Sequence, residues 1–212
     1  MKWDINIQTL RILQQINLPQ MITSGNGIPV SIGNPGDLYV DYNTANMYKY
    51  TYQESTVSTF ASIISPFCMT FDSSDNLYVS FNTHKITKID TSGNQTLFAG
   101  SSTEPGYLDG TALIARFENI QGMCFDSQGN MYLCDTNNHV IRKIDTSGNV
   151  TTVAGTPETN GFADDSLVAA LFNAPLQITM GLSDTILYVT DHGNNRIRKI
   201  DLTSETVSTY AG

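Results

Sequence analysis

The sequence predicts an all-β chain of repeated, blade-sized sheets, and three observations carry that expectation. The first is self-similarity. FDSSDNLYVSFNTHKITKIDTSGNQTLFAG from Phe71 to Gly100 and FDSQGNMYLCDTNNHVIRKIDTSGNVTTVAG from Phe125 to Gly155 are versions of one unit. A third version, DTILYVTDHGNNRIRKIDLTSETVSTYAG, runs from Asp184 to Gly212, so the Ala-Gly endings fall 55 and then 57 positions apart. A fixed period of this size marks a repeat architecture. The second observation is turn chemistry: SSDN, SQGN and TSGN place Asn, Asp, Gly and Ser between apolar runs, where left-handed and turn conformations are needed. The third is composition, with 40% hydrophobic and only 15% charged residues, 16 Gly and 10 Tyr, which suits turn-rich β-structure better than helical bundles.

Taken along the chain, each unit supplies four short strands. One lies around MTF or MCF, one at LYV or MYL, one at ITKID or IRKID, and one at the TLFAG, TTVAG or STYAG ending. In MYLC, Met131 and Leu133 occupy one alternating set and Tyr132 and Cys134 the other, so both faces of the strand are apolar. A sheet of this kind must be covered on two sides. Like sheets stacked around an axis form a propeller, and side-by-side stacking forms a solenoid. A unit near 55 residues favours the propeller.

GYLDGTALIARFENIQGMCFDSQGNMYLCDTNNHVIRKIDTSGNVTTVAG, from Gly106 to Gly155, resembles the NHL repeat. The family's pattern is a DG loop, an Ala-Arg-Phe turn, a Gly-Asn-x-Tyr strand and an Asp-x-x-Asn-x-x-Ile-Arg-Lys strand, and this stretch meets it nearly position by position. The third copy keeps it with GFADD, AALFNAP, ILYVTD and NNRIRKID. The first keeps only NLYVS and KITKID and carries Phe81 in place of the aspartate. The resemblance covers Pro66 to Gly212 and implies a propeller of NHL-type four-stranded blades.

Ahead of these, IPVSIGNPGDLYVDYNTANMYKYTYQESTVSTFA from Ile28 to Ala61 reads as a worn fourth unit without the DG loop. The predicted organisation is an adaptor or capping segment over 1–27 and a propeller over 28–212, with units at about 28–61, 66–100, 120–155 and 175–212. Three units are clear and one is degenerate, or three blades follow an N-terminal adaptor; four blades is the lower end of what closes into a ring, and a complete or an incomplete ring both fit this count. Within the worn unit, Gly33 to Tyr50 also has a short similarity to segments of phage and giant-virus fibre proteins. Trp3 to Leu18 carries Ile5 and Ile7 in strand-like alternation, then Leu10, Leu13 and Ile16 at helix-like spacing. Tyr42, Tyr48, Tyr50 and Tyr52 form a dense aromatic group.

The net charge is −9, from 20 acidic and 11 basic residues, which opposes binding to phosphate backbones unless the cations cluster. They do recur by repeat: Lys85 and Lys88, Arg142 and Lys143, and Arg196, Arg198 and Lys199 fall on the same strand of each copy, predicting a basic stripe along one rim. Some NHL propellers bind RNA through such a face. Against that use, Asp90, Asp145 or Asp201 follows each stripe. Cys68, Cys124 and Cys134 are odd in number and lack CxxC spacing, and so are read as reduced thiols. Polar residues interrupt the N-terminal segment before it can act as a signal peptide or membrane span, which leaves a cytoplasmic or virion-associated location.

Asp135 and Asp191, each ending an LYV-type strand, and Asn138 and Asn195 in the turns that follow are expected to serve the repeat's own structure, as are Asp72 and Asp126. His84 and His139 occupy matching positions and His192 matches Thr136, but repetition spreads matching residues around a ring, whereas a catalytic zinc needs ligands that converge. Some propellers resembling this unit are metal-dependent lyases or lactonases; the sequence holds no clear copy of their constellation, and no GxSxG elbow or phosphate loop. The expected function is therefore non-enzymatic: a protein-binding or self-associating scaffold without a cofactor. A virion structural protein, a metal-dependent lyase or hydrolase, and an RNA binder stand as alternatives.

Overall fold

The computed structural model describes residues 38–41, 46–49, 66–81 and 84–212. Compact units run Met1–Thr59 and Phe60–Gly212. In the first, β1 (Leu38–Asp41) and β2 (Asn46–Lys49) pair antiparallel with Tyr39 opposite Tyr48. The segment expected over 1–27, the strands expected at IPVSI and TVSTFA, and Tyr42, Tyr50 and Tyr52 lie outside the described residues. Among the described residues, no helix is long and apolar enough to cross a membrane.

The second unit holds three antiparallel sheets in chain order. Blade 1 comprises β3 (Pro66–Phe71), β4 (Leu77–Phe81), β5 (Lys85–Ile89) and β6 (Gln95–Gly100). Blade 2 contains β7 (Gly110–Thr111), β8 (Ile120–Phe125), β9 (Met131–Asp135), β10 (Val140–Ile144) and β11 (Asn149–Ala154), in spatial order β7-β11-β10-β9-β8. Blade 3 repeats that order with β12 (Asp165–Ser166), β13 (Pro175–Met180), β14 (Ile186–Asp191), β15 (Arg196–Asp201) and β16 (Thr206–Ala211). The four expected strands are present in each, and blades 2 and 3 gain a fifth. It comes from the DG loop, which runs back along the outer strand so that Gly110 pairs with Val150.

The hairpins form because aspartate supplies what the turn backbone lacks. Asp72 Oδ1 accepts from the amides of Ser74 and Asn76, both at 2.9 Å, while Asn76 Nδ2 donates to Asp72 Oδ2. Asp90, Asp126 and Asp145 build the same Asp-x-x-x-Asn turn. At Asp90 and Asp145, the donors of Asn94 and Asn149 hold the carboxyls below the usual range.

Packing follows from the two-faced apolar strands. Tyr78, Ile86 and Ala99 of blade 1 bury against Ile120, Met123, Met131, Leu133 and Ile144 of blade 2. On the other face of blade 2, Tyr132, Cys134, Ile141 and Ala154 bury against Ile178, Leu187, Val189 and Ile200 of blade 3. The inner strands β3, β8 and β13 lie side by side. This is an all-β fold of propeller-type blades, with no ring closure among the described residues.

Glycine is required at two kinds of place. The Ala-Gly endings have φ of +81° at Gly100 and +97° at Gly155, and a Cβ there would lie 2.3 and 2.8 Å from the carbonyl oxygens of His84 and His139. At Gly122, a Cβ would lie 2.4 Å from the Leu176 carbonyl oxygen of the next blade. Replacing Gly122 by Ala must push β8 and β13 apart. The expected loss is about 1–3 kcal/mol, measured by urea denaturation; an unchanged midpoint would show that the inner strands are not in this contact.

Candidate functional site

The most polar place in the interior is a node built twice, once in each of blades 2 and 3. In blade 2, β9 ends on Asp135, and Arg142 of β10 has its side chain wholly buried beside it. Arg142 NH1 donates to Asp135 Oδ2 at 2.8 Å and to the Arg116 carbonyl at 3.2 Å. NH2 donates to the Leu108 carbonyl at 2.8 Å and to Asp109 Oδ1 at 2.6 Å, and Nε reaches the same Asp109 oxygen at 3.1 Å. The rings of Tyr107 and Phe117 lie 4.7 and 5.1 Å from the guanidinium carbon.

Asp135 is satisfied as fully. Its Oδ1 accepts the Glu118 amide at 2.7 Å, and its Oδ2 accepts Asn138 Nδ2 at 2.9 Å. Burial pushes its carboxyl up, to about 6, against the opposing effect of these donors and of Arg142. Blade 3 repeats the node: Arg198 NH1 donates to Asp191 Oδ2 at 2.8 Å and NH2 to Asp164 Oδ1 at 2.7 Å, between the rings of Phe162 and Phe172. Asp191 accepts the Asn173 amide and Asn194 Nδ2, both at 2.8 Å. Asp109 and Asp164 also accept the backbone amides of Thr152 and Thr209, tying the DG-type loops to the outer strands.

The basic stripe is corrected by this geometry. Arg142 and Arg198 are not on a rim, because alternation along β10 and β15 turns them inward to the aspartates. The remaining five are half-buried and placed locally. Lys85 lies over Phe81, Lys88 over Tyr78, Lys143 over Tyr132 and Arg196 over Phe162, and Lys199 pairs with Asp201 at 3.2 Å. Asn195 is also displaced from its expected part: the side chain that matches Asn138 is that of Asn194, three positions after the aspartate in both blades, while Asn195 takes the left-handed position after the turn.

The histidines sit between blades. His84 Nδ1 accepts the Asn119 amide at 3.2 Å, and His139 Nδ1 accepts the Ala174 amide at 3.1 Å, so each holds the entry turn of the next blade. His192 lies in the exposed short turn after β14. Among the described residues, no three His, Cys, Asp or Glu side chains group in a way that could hold a metal ion. The three cysteines are free, and burial raises the thiol of each, that of Cys124 to about 12.

The fold and its repeated node define a β-propeller module. No family model matches the chain. It is similar to NHL repeat-containing protein 2 of Homo sapiens, 34% identical over 105 residues, which is 49% of this chain and 14% of that protein. The Bos taurus protein of the same name is 34% identical over 107 residues, 50% of this chain and 15% of that protein. A solved structural genomics protein of unknown function from Bacteroides thetaiotaomicron superposes with a TM-score of 0.63 at 26% identity, covering 76% of this chain and 43% of that one. An auxiliary nutrient binding protein from the same species gives 0.58 at 24% identity, covering 81% and 42%. The chain therefore carries an NHL-repeat segment, and its match spans a small part of the curated relatives' length.

Blade 1 lacks the node as a set. Phe81 stands where Asp135 does, Thr87 where Arg142 does, and no DG loop precedes the blade in sequence. Replacing Arg142 by Thr is expected to cost about 3–5 kcal/mol by leaving Asp135 buried without its cation. The double change Asp135→Phe with Arg142→Thr copies blade 1 and should cost less than the summed single changes by about 0.5–3 kcal/mol. Equilibrium denaturation of the four proteins checks this, and strict additivity would refute the coupling.

Burial holds the His139 imidazole below its usual pKa, so the unfolded chain takes up the proton first. Its stabilising contribution is complete above about 6.5 and is lost as pH falls through the lower folded value. Thermal melts between neutral and mildly acidic pH should fall less steeply for His139→Asn, which copies Asn195, than for the parent protein; parallel curves would contradict this.

Proposed function

We propose that the described blades form a non-enzymatic NHL-type module for protein binding or assembly. The observation that carries this reading is the outward face of blade 3. Ile197 there is 40% exposed and Tyr210 63%, whereas Ile141, which matches Ile197 in blade 2, is fully buried under the next blade. Side chains of this kind offer a partner apolar surface. The acidic residues that most suggest chemistry, Asp135 and Asp191, are committed to Arg142 and Arg198, which supports structure over catalysis. The lysines and Arg196 held over rings or aspartate are poorly placed to track a phosphate backbone.

Affinity capture from the producing cells should recover partners with the parent protein and lose them with Tyr210→Asp, whose circular dichroism is expected to be unchanged. Stoichiometric divalent metal in the purified protein would favour the lyase or hydrolase reading. Salt-sensitive retention on RNA would favour the nucleic-acid reading. Either result would overturn the proposal.

A further inference from the structure

The two joints between blades differ at the end where the hairpin turns meet. Between blades 2 and 3, Asp184 bridges the turns, accepting the Ser127 amide at 3.2 Å and the Ser127 hydroxyl. Asp184 stands four residues after Met180 of β13, as Gly129 stands four after Phe125 of β8. Between blades 1 and 2 the serine is kept as Ser73, and Gly129 offers it no side chain. A groove of about 420 Å³ opens there, with Ser73 and Gly129 in its wall.

The groove joins aromatic surface to negative charge. Tyr78, Phe98 and Phe125 line it, packed edge to face with ring centroids 4.8 and 5.1 Å apart. In the second joint Val153 and Met180 stand in place of the two phenylalanines. Asp72 of blade 1 and Asp145 of blade 2 complete the wall. Against burial, which raises it, the donors of Asn76, Ser74 and Tyr78 hold the Asp72 carboxyl below the usual range, and those of Asn149 and Ser147 do so for Asp145. Neither makes a salt bridge among the described residues. In blade 3, Lys199 pairs with Asp201, the match of Asp145, whereas Lys143, the match of Lys199, lies over Tyr132 instead. Lys88 lies 5.6 Å from the Tyr78 ring centroid, so this cluster already draws a cation.

The interior shows what rings and carboxylates hold together in this fold. Arg142 lies against Tyr107 and Phe117 and pairs with Asp109 and Asp135, and Arg198 lies against Phe162 and Phe172 and pairs with Asp164 and Asp191. A planar guanidinium can stack on a ring and fork to a carboxylate at once, which an ammonium cannot do. We propose that the groove between blades 1 and 2 receives an arginine side chain of a partner protein, its guanidinium against the rings of Phe98 and Phe125 and between the carboxylates of Asp72 and Asp145. The net charge of −9 favours the approach of such a group. The groove lies inside the row of blades, so the contact does not depend on what covers either end of it. This inference rests on the binding-module reading and names the chemistry of one contact.

The test uses the full 212-residue chain, with a capped Gly-Arg-Gly peptide as probe and the matching citrulline peptide, which keeps the shape and loses the charge. Titration followed by amide-resolved NMR should give saturable shifts confined to the groove, the amides of Ser73, Gly129 and Gly148 among them. The citrulline peptide should bind roughly fivefold or more weakly. Phe98→Val, which copies Val153, and the pair Asp72→Asn with Asp145→Asn, which keeps the turn acceptors, should each weaken the probe to a similar extent with circular dichroism unchanged. Gly129→Asn should block it by filling the wall opposite Ser73, since asparagine tolerates the φ of +87° there. Shifts scattered over the acidic surface, equal binding of the citrulline peptide, or undiminished binding by these variants would overturn the site. Capture from cells separates that outcome from failure of the module reading. Partners kept by Gly129→Asn but lost with Tyr210→Asp sink the groove alone, and no partner recovered by the parent protein sinks both.

Discussion

The constraint on which the structure depends is that each sheet is apolar on both faces. Met131 and Leu133 leave β9 on one side and Tyr132 and Cys134 on the other, and all four are buried. Burial of such side chains is worth roughly 25 cal/mol per Å² of apolar surface, and a lone sheet recovers it on one face at most. A row of like sheets recovers it on every internal face. The chain therefore folds as a set of blades whose stability is shared with neighbours, and Gly122, the histidine-to-amide bonds and the inner-strand contacts all serve that stacking.

Within a blade, the buried carboxylate and guanidinium add a different kind of order. A single buried charge is strongly unfavourable, and hydrogen bonds to the pair offset that cost; Arg142 uses all its donors, whereas Arg198 leaves its buried Nε without a partner. Blade 2 completes them by bringing in the DG loop: Asp109 caps Arg142, and the Leu108 and Arg116 carbonyls take its remaining protons. The loop is thus locked to the sheet by the same cation that locks β9 to β10. Blade 1, which has no Asp-Gly pair ahead of it in the sequence, carries Phe81 and Thr87 instead. The two charges are replaced together, because Asp or Arg alone would be stranded.

Much of this was legible along the chain. The period, the Asp-x-x-x-Asn turns and the alternation of apolar residues specify strands, hairpins and stacking because those depend on near neighbours and on a fixed two-residue rhythm. The Asp-x-x-Asn spacing also identifies Asn194 as the partner of Asp191, a match that aligning the two adjacent asparagines by eye places one residue late. The basic stripe misled at Arg142 and Arg198 for a clear reason: charge repeated on a strand looks the same whether it faces water or an aspartate on the neighbouring strand.

By itself, then, the sequence determined that the chain is all-β, that its units are blade-sized and alike, and that the SSDN, SQGN and TSGN segments are turns. Only the tertiary structure decided which charges are buried, since Asp109 and Arg142 meet across 33 positions, and which apolar faces remain uncovered. Local pattern sets the conformation of a strand, whereas burial is a property of what lies against it.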